Sequence, residues 1–203
     1  MWWINGFLQK WTSKKRYKAI LWQLRSRSSG IAFSLFLPML LLPCHSLDKQ
    51  LDILRSWIGQ TENKGTNRSE LIDKMNRYVG NPPGTSYCAA AQCYAEYLAG
   101  RVQFKTGLAR NMRNDKTFSS NDVLFGKRKI KRGYYIIWQK GDTIYGHIEI
   151  TDKDWAFIEG SSIGANTSPG DKGSQSNGDG IYERWRKIQP SSYSKIRWIT
   201  PNE

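Results

Sequence analysis

The spacing of hydrophobic and polar positions changes character midway along the chain. In Ser46 to Ile58, SLDKQLDILRSWI, the residues Leu47, Leu51, Leu54 and Ile58 fall on one helical stripe, and Gly59 is a stop signal. A polar loop with Gly65 follows. Asn67 or Ser69 can cap a second helix in RSELIDKMNRYVG, where Leu71, Met75, Tyr78 and Val79 recur at helical spacing before Gly80. Pro82, Pro83 and Gly84 then break the chain. From Ser86, taken as the N-cap, SYCAAAQCYAEYLAG runs to Gly100 without a breaker. Its alanines and nearly all-round apolar surface predict a helix buried in the middle of a domain.

The second half reads differently. YYIIW (Tyr134 to Trp138), GHIEIT (Gly146 to Thr151), WAFIE (Trp155 to Glu159), IYERW (Ile181 to Trp185) and IRWIT (Ile196 to Thr200) are β-branched and aromatic runs separated by turn residues. Helices first and an antiparallel sheet after them predict an α+β domain. The Gly-, Ser- and Asn-rich stretch from Gly160 to Gly180 reads as a long loop, and loops of that length are often functional.

The start of the chain stands apart from this domain. Residues 1–30 hold seven of the 31 Lys and Arg and no acid, and the first carboxylate is Asp48. Behind them IAFSLFLPMLLL, Ile31 to Leu42, is an apolar block interrupted by Pro38, which is the order of a targeting sequence. The expected organisation is therefore a basic segment over 1–30, a hydrophobic signal or anchor over 31–45, and one domain of catalytic size over 46–203. That arrangement places the domain outside the cytoplasmic membrane, on the cell-wall or periplasmic side. LLLPC, Leu40 to Cys44, loosely resembles a lipoprotein signal acylated at Cys44, and a cleaved signal or a marginal anchor are the alternatives.

The formal net charge of +14 suits any polyanionic partner, whether nucleic acid, phospholipid headgroups or wall polymers. No helix-turn-helix spacing, zinc-ligand set or RNA-binding aromatic signature accompanies it. No paired metal ligands or calcium loop occur either, so neither a metal nor another cofactor is implied. Only three cysteines occur, Cys44, Cys88 and Cys93, and the last two face different directions on one predicted helix, so no disulfide framework is expected.

Cys88 falls in the first turn of the buried helix. Unpaired amides and the macrodipole favour a thiolate there, and the same amides can face an oxyanion. Such a nucleophile needs a base. His45 lies beside the apolar block, so His147 is the only histidine within the domain. Glu159 would sit beside it if Gly146 to Thr151 pairs with Trp155 to Glu159 as a hairpin. Glu149, two residues on along the same strand face, can orient His147 instead.

The segments NKGTNRSELIDKMNRYVG, SYCAAAQCYAEYLAG, YGHIEIT, FIEG with NTS, and NGDGIYERWR occur in an order that resembles the cysteine, histidine-dependent amidohydrolase/peptidase (CHAP) domains and their papain-like NlpC-type relatives. The resemblance covers about Ser46 to Pro201. It implies a papain-like fold in which a catalytic cysteine opens a central helix packed on an antiparallel sheet. It also implies hydrolysis of an amide in peptidoglycan, with Cys88 as nucleophile, His147 as base and Glu159 as the acidic partner. Where the family often has asparagine two residues after that glutamate, this chain has Ser161, and Asn166 follows later, so either can complete the site. Tyr87 and Asn67 are weaker candidates for substrate contact.

The expected function is therefore that of a cysteine peptidase or amidase, monomeric, with peptidoglycan as substrate and the membrane reached through the N-terminal segment. Two alternatives remain at this level: a wall-binding module of the same fold without the chemistry, and a basic membrane-anchored nucleic-acid binder.

Overall fold

The computed structural model describes residues 47–101, 104–139, 141–170, 178–189 and 196–202. The basic segment, the apolar signal or anchor segment, Cys44 and His45 lie outside the described residues.

Three helices come first. α1, Leu47–Ser56, turns Leu51 and Leu54 inward, and the chain leaves it at Gly59 in a left-handed conformation (φ 87°). Ile58, predicted to continue its stripe, lies past the helix end and is half-exposed. α2, Glu70–Val79, is set by its ends. The Ser69 hydroxyl accepts the Ile72 N–H at 3.3 Å, and Gly80 closes the helix at φ 81°, a backbone state that costs glycine little. α3, Cys88–Leu98, begins one turn-residue later than predicted. Tyr87 and not Ser86 takes the cap position, and its side chain makes no capping bond. Ala89, Ala90, Ala91 and Ala95 are wholly buried, and their small side chains let α3 lie close to the sheet on one side and α2 on the other.

Beyond a short 3-10 turn at Ala109–Met112 come β1 (Phe118–Ser119), α4 (Ser120–Leu124), β2 (Tyr135–Gln139), β3 (Gly146–Thr151), β4 (Glu159–Thr167), β5 (Gly180–Lys187) and β6 (Ile196–Thr200). The six strands form one antiparallel sheet in the order β1-β6-β2-β3-β4-β5. The fold is α+β, as expected, with a cysteine opening a central helix on an antiparallel sheet, an arrangement compatible with a papain-like fold. Ile137, Ile148, Ile150, Ile163 and Ala165 pack against the helices. On the other face Ile136 and Ile199 join Val123, Ile130, Trp155 and Ile188 in a second core.

One strand departs from the sequence reading. Trp155–Ile158 is a turn and not a strand. Trp155 is drawn into the second core, its indole donates to the Ser161 carbonyl at 3.1 Å, and Phe157 takes a left-handed conformation (φ 62°). The strand begins only at Glu159 and runs through SSIGANT, the first part of the stretch expected to be a loop. Among the described residues, no helix is long and apolar enough to cross a membrane.

Candidate active site

β3 and β4 pair with Glu149 opposite Gly164 and Thr151 opposite Ser162. Extending that register brings Asn166 level with His147, at the end of the sheet where β3 begins. The start of α3 lies over this end. Gln92 reaches the Ile163 carbonyl at 3.4 Å, the Tyr87 phenol packs against the Asn166 backbone, and the Cys88 side chain interacts with the His147 imidazole. Cys88 is 5% exposed and His147 1%, so the pair is shielded from bulk water.

The imidazole is held from one side by a buried carboxylate. His147 Nε2 lies 3.1 Å from Glu149 Oε1, and the other ring nitrogen, the buried Nδ1, has no hydrogen-bond partner. Glu149 is wholly buried, and an isolated carboxylate there would be costly. Two side chains compensate it. Arg186 donates Nε–H to Oε2 at 2.8 Å and Nη2–H to Oε1, and the Ser162 hydroxyl donates to Oε2 at 2.5 Å. Arg186 is itself positioned by Thr167, whose hydroxyl oxygen lies 3.3 Å from Nη2, and by Trp138, whose ring centre is 5.4 Å from the guanidinium. The same indole flanks His147, with ring centroids 5.3 Å apart.

These contacts set the protonation states. Burial works against a charged imidazole, but its coupling to Cys88 and the hydrogen bond and charge of Glu149 outweigh it and raise the His147 pKa from 6.5 to about 9. For Glu149 burial pushes the pKa up, yet Arg186 and His147 together pull it down from 4.5 to about 2. At neutral pH the site therefore holds an imidazolium between a carboxylate and a sulfur. The first-turn amides of α3, which Cys88 opens, have no side-chain cap.

The structure brings Cys88, His147, Glu149, Asn166 and Tyr87 to one place. Asn166 adopts a left-handed backbone (φ 57°) as β4 ends and accepts the Gly178 N–H at its carbonyl. Glu159 is elsewhere. It starts β4, seven residues and roughly 23 Å of strand from Asn166, and its carboxylate pairs with Lys187 at 3.3 Å near the surface. The hairpin that would have carried it to His147 does not form, because the turn takes up Trp155 to Ile158. Ser161 lies on the opposite sheet face from Glu149 and Ser162. Asn67 donates to the Gly84 carbonyl at 3.3 Å, which steadies the turn before Cys88 without reaching His147. Arg186 and Ser162 escape a sequence reading. Their signal is faint: Arg184 and Arg186 alternate on one side of a strand, where charge ordinarily means solvent.

Among the described residues no group of three or more His, Cys, Asp or Glu could hold a metal ion. No known protein family and no curated protein matches the chain. Two solved structures are similar to it. One is Ly7917, 13% identical with a TM-score of 0.41, covering 77% of this chain and 62% of that one. The other is a wild-type endolysin, LysIME-EF1, 17% identical with a TM-score of 0.37, covering 77% of this chain and 64% of that one. The chain thus matches less than two thirds of the length of either.

Proposed function

We propose that the domain is a cysteine hydrolase that cuts an amide bond of peptidoglycan through Cys88 and His147, with Glu149 as the orienting carboxylate. The observation that carries this reading is one buried imidazole, held on Nε2 by buried Glu149, with Nδ1 unpartnered, and coupled electrostatically to a cysteine at the start of a helix. The amide of a peptide stem or cross-bridge, or the link between muramic acid and the stem, is the substrate implied by the ordered motifs from Ser46 to Pro201. The basic surface suits an anionic wall.

The chemistry runs through an acyl-enzyme. The Cys88 thiolate attacks the carbonyl carbon, and the carbonyl π electrons move onto oxygen, where the first-turn amides of α3 stabilise the charge. As the tetrahedral intermediate collapses, the C–N bond breaks and the His147 imidazolium gives its proton to the departing amine. A water then loses a proton to the neutral imidazole and attacks the thioester. Cys88 leaves as thiolate, and the product is a free acid. Glu149 keeps the ring oriented and supports its charge in both halves.

Purified sacculi digested with the full chain test this reading. Mass analysis of the soluble fragments is expected to show new amine and carboxyl ends with the chain and none with Cys88→Ala. Fragments with intact peptides and cut glycan would remove the assignment.

A further inference from the structure

The segment Phe125 to Gly133, FGKRKIKRG, plays no part in the site above, and its charges are unusual. Lys127, Arg128, Lys129 and Lys131 are exposed, and among the described residues no ion pair joins any of them to a carboxylate. The acids nearby are engaged. Asp122 is hydrogen-bonded to Ser119 and feels Lys127 and Arg128 only at longer range, Asp154 accepts the Arg132 N–H at 2.7 Å, Asp48 pairs with Arg132 at 2.6 Å, and the Arg128 guanidinium lies 5.9 Å from the Phe118 ring centre. Four like charges so close together repel one another.

Yet the backbone carrying them is fixed. The N–H groups of Lys127 and Arg128 both donate to the Asp122 carbonyl, at 2.8 and 3.0 Å. Ile130 is buried in the second core, and its carbonyl accepts from Trp155; Gly133 donates to the Thr151 carbonyl at 2.8 Å. Immediately before the cations, Phe125 is 75% exposed, the most exposed large hydrophobic side chain among those described. A rigid cationic rim beside an exposed phenyl ring suits a surface that is anionic outside and apolar beneath.

The position of the patch gives it an occupant. Asp48, the partner of Arg132, lies in the first turn of α1, and a side chain at Gly133 would collide with Leu47. Leu47 is the first described residue, five positions after Leu42, the end of the apolar block. The patch therefore flanks Leu47, where the described domain begins. A free phosphate polymer would satisfy the cations and leave Phe125 in water, whereas a bilayer satisfies both.

We propose that Phe125 with Lys127, Arg128, Lys129 and Lys131 is the face by which the domain lies on an anionic lipid bilayer. This does not depend on the hydrolase reading. Each cation brought to an anionic surface strengthens binding about fivefold.

Lysine acetylation of the full chain, read by mass spectrometry, tests it with vesicles of phosphatidylcholine alone or mixed with phosphatidylglycerol. With the chain bound to the mixed vesicles, Lys127, Lys129 and Lys131 are expected to react at least about fivefold more slowly than in solution, while Lys64 and Lys105 keep their reactivity. The combined variant Lys127→Gln, Arg128→Gln, Lys129→Gln, Lys131→Gln should bind the mixed vesicles at least about 30-fold more weakly, or, if still held by its N-terminal segment, leave exposed Lys153, next to the Asp154 that accepts from Arg132, as reactive on the vesicles as in solution. Equal reactivity of Lys127, Lys129 and Lys131 on vesicles and in solution overturns the proposal. So does protection by a soluble phosphodiester polymer, such as DNA, without protection by vesicles.

Discussion

Glu149 Oε1 lies 3.1 Å from His147 Nε2, and the two residues stand two apart on one strand. The carboxylate on this imidazole is thus fixed by its own strand and locked from β5 by Arg186, instead of being delivered by a neighbouring hairpin. That relationship separates Glu149 from Glu159 by experiment.

Glu149→Gln is expected to lower sacculus hydrolysis by about 10²–10⁴, because an amide on Nε2 neither fixes the productive tautomer nor supports the imidazolium. Glu159→Gln removes only a surface pairing with Lys187 and is expected to stay within about twofold of wild type. Initial rates of turbidity loss for the two variants decide it. The reverse ranking would move the acidic role to Glu159.

Arg186→Met strips Glu149 of its main compensating charge in a site where both side chains are buried. Breaking a buried pair from one side costs about 3–5 kcal/mol, so denaturant unfolding should show a loss of that order, with unchanged slope. The double variant Arg186→Met, Glu149→Leu should recover much of it, since the uncompensated charge is then gone.

Gly164 faces Glu149 across the β3–β4 ladder, and a methyl group there would meet Glu149 Cγ at 2.5 Å and Oε1 at 2.6 Å. Gly164→Ala is expected to cost about 1–3 kcal/mol in stability and to push the carboxylate off the imidazole. Activity should fall at least about tenfold, against no more than about twofold for Gly126→Ala at a site open to solvent, as rates on sacculi would report.

The pH dependence of stability follows from the two shifted groups. His147 is raised from 6.5 to about 9, so its contribution is complete below pH 6.5 and is lost as pH climbs through about 9. Glu149 is lowered from 4.5 to about 2, so its contribution is complete above pH 4.5 and is lost as pH falls toward about 2. Thermal midpoints should therefore carry both contributions in full between pH 4.5 and 6.5. The alkaline decline should shrink in His147→Phe, and a decline of unchanged steepness would show that another group causes it.

The helical half of the molecule was legible because its signals are local. Ser69 and Gly80 mark both ends of α2, and a cysteine ahead of an alanine run marks the start of α3. Most strands were legible for the same reason, Gly146–Thr151 to the residue. β4 was not, because its small residues are dictated from outside the strand: Gly164 yields to Glu149, and Ile163 lies under Gln92 of α3. WAFIE carries stronger strand propensity, yet Trp155 is claimed by the second core, a tertiary demand that local pattern does not reveal. Glu159 was misplaced with it. Arg186 stayed hidden because a charged residue in a strand looks solvated until its buried partner is known.

The central claim is that the Cys88 sulfur carries the acyl group, and rapid acid quenching of the full chain with soluble peptidoglycan peptides tests it most directly. Peptide mapping of the quenched protein should find an acyl adduct on the Cys88 peptide and none on that of buried Cys93, with both adduct and hydrolysis absent in Cys88→Ala. Hydrolysis by Cys88→Ala at the wild-type rate would contradict the account.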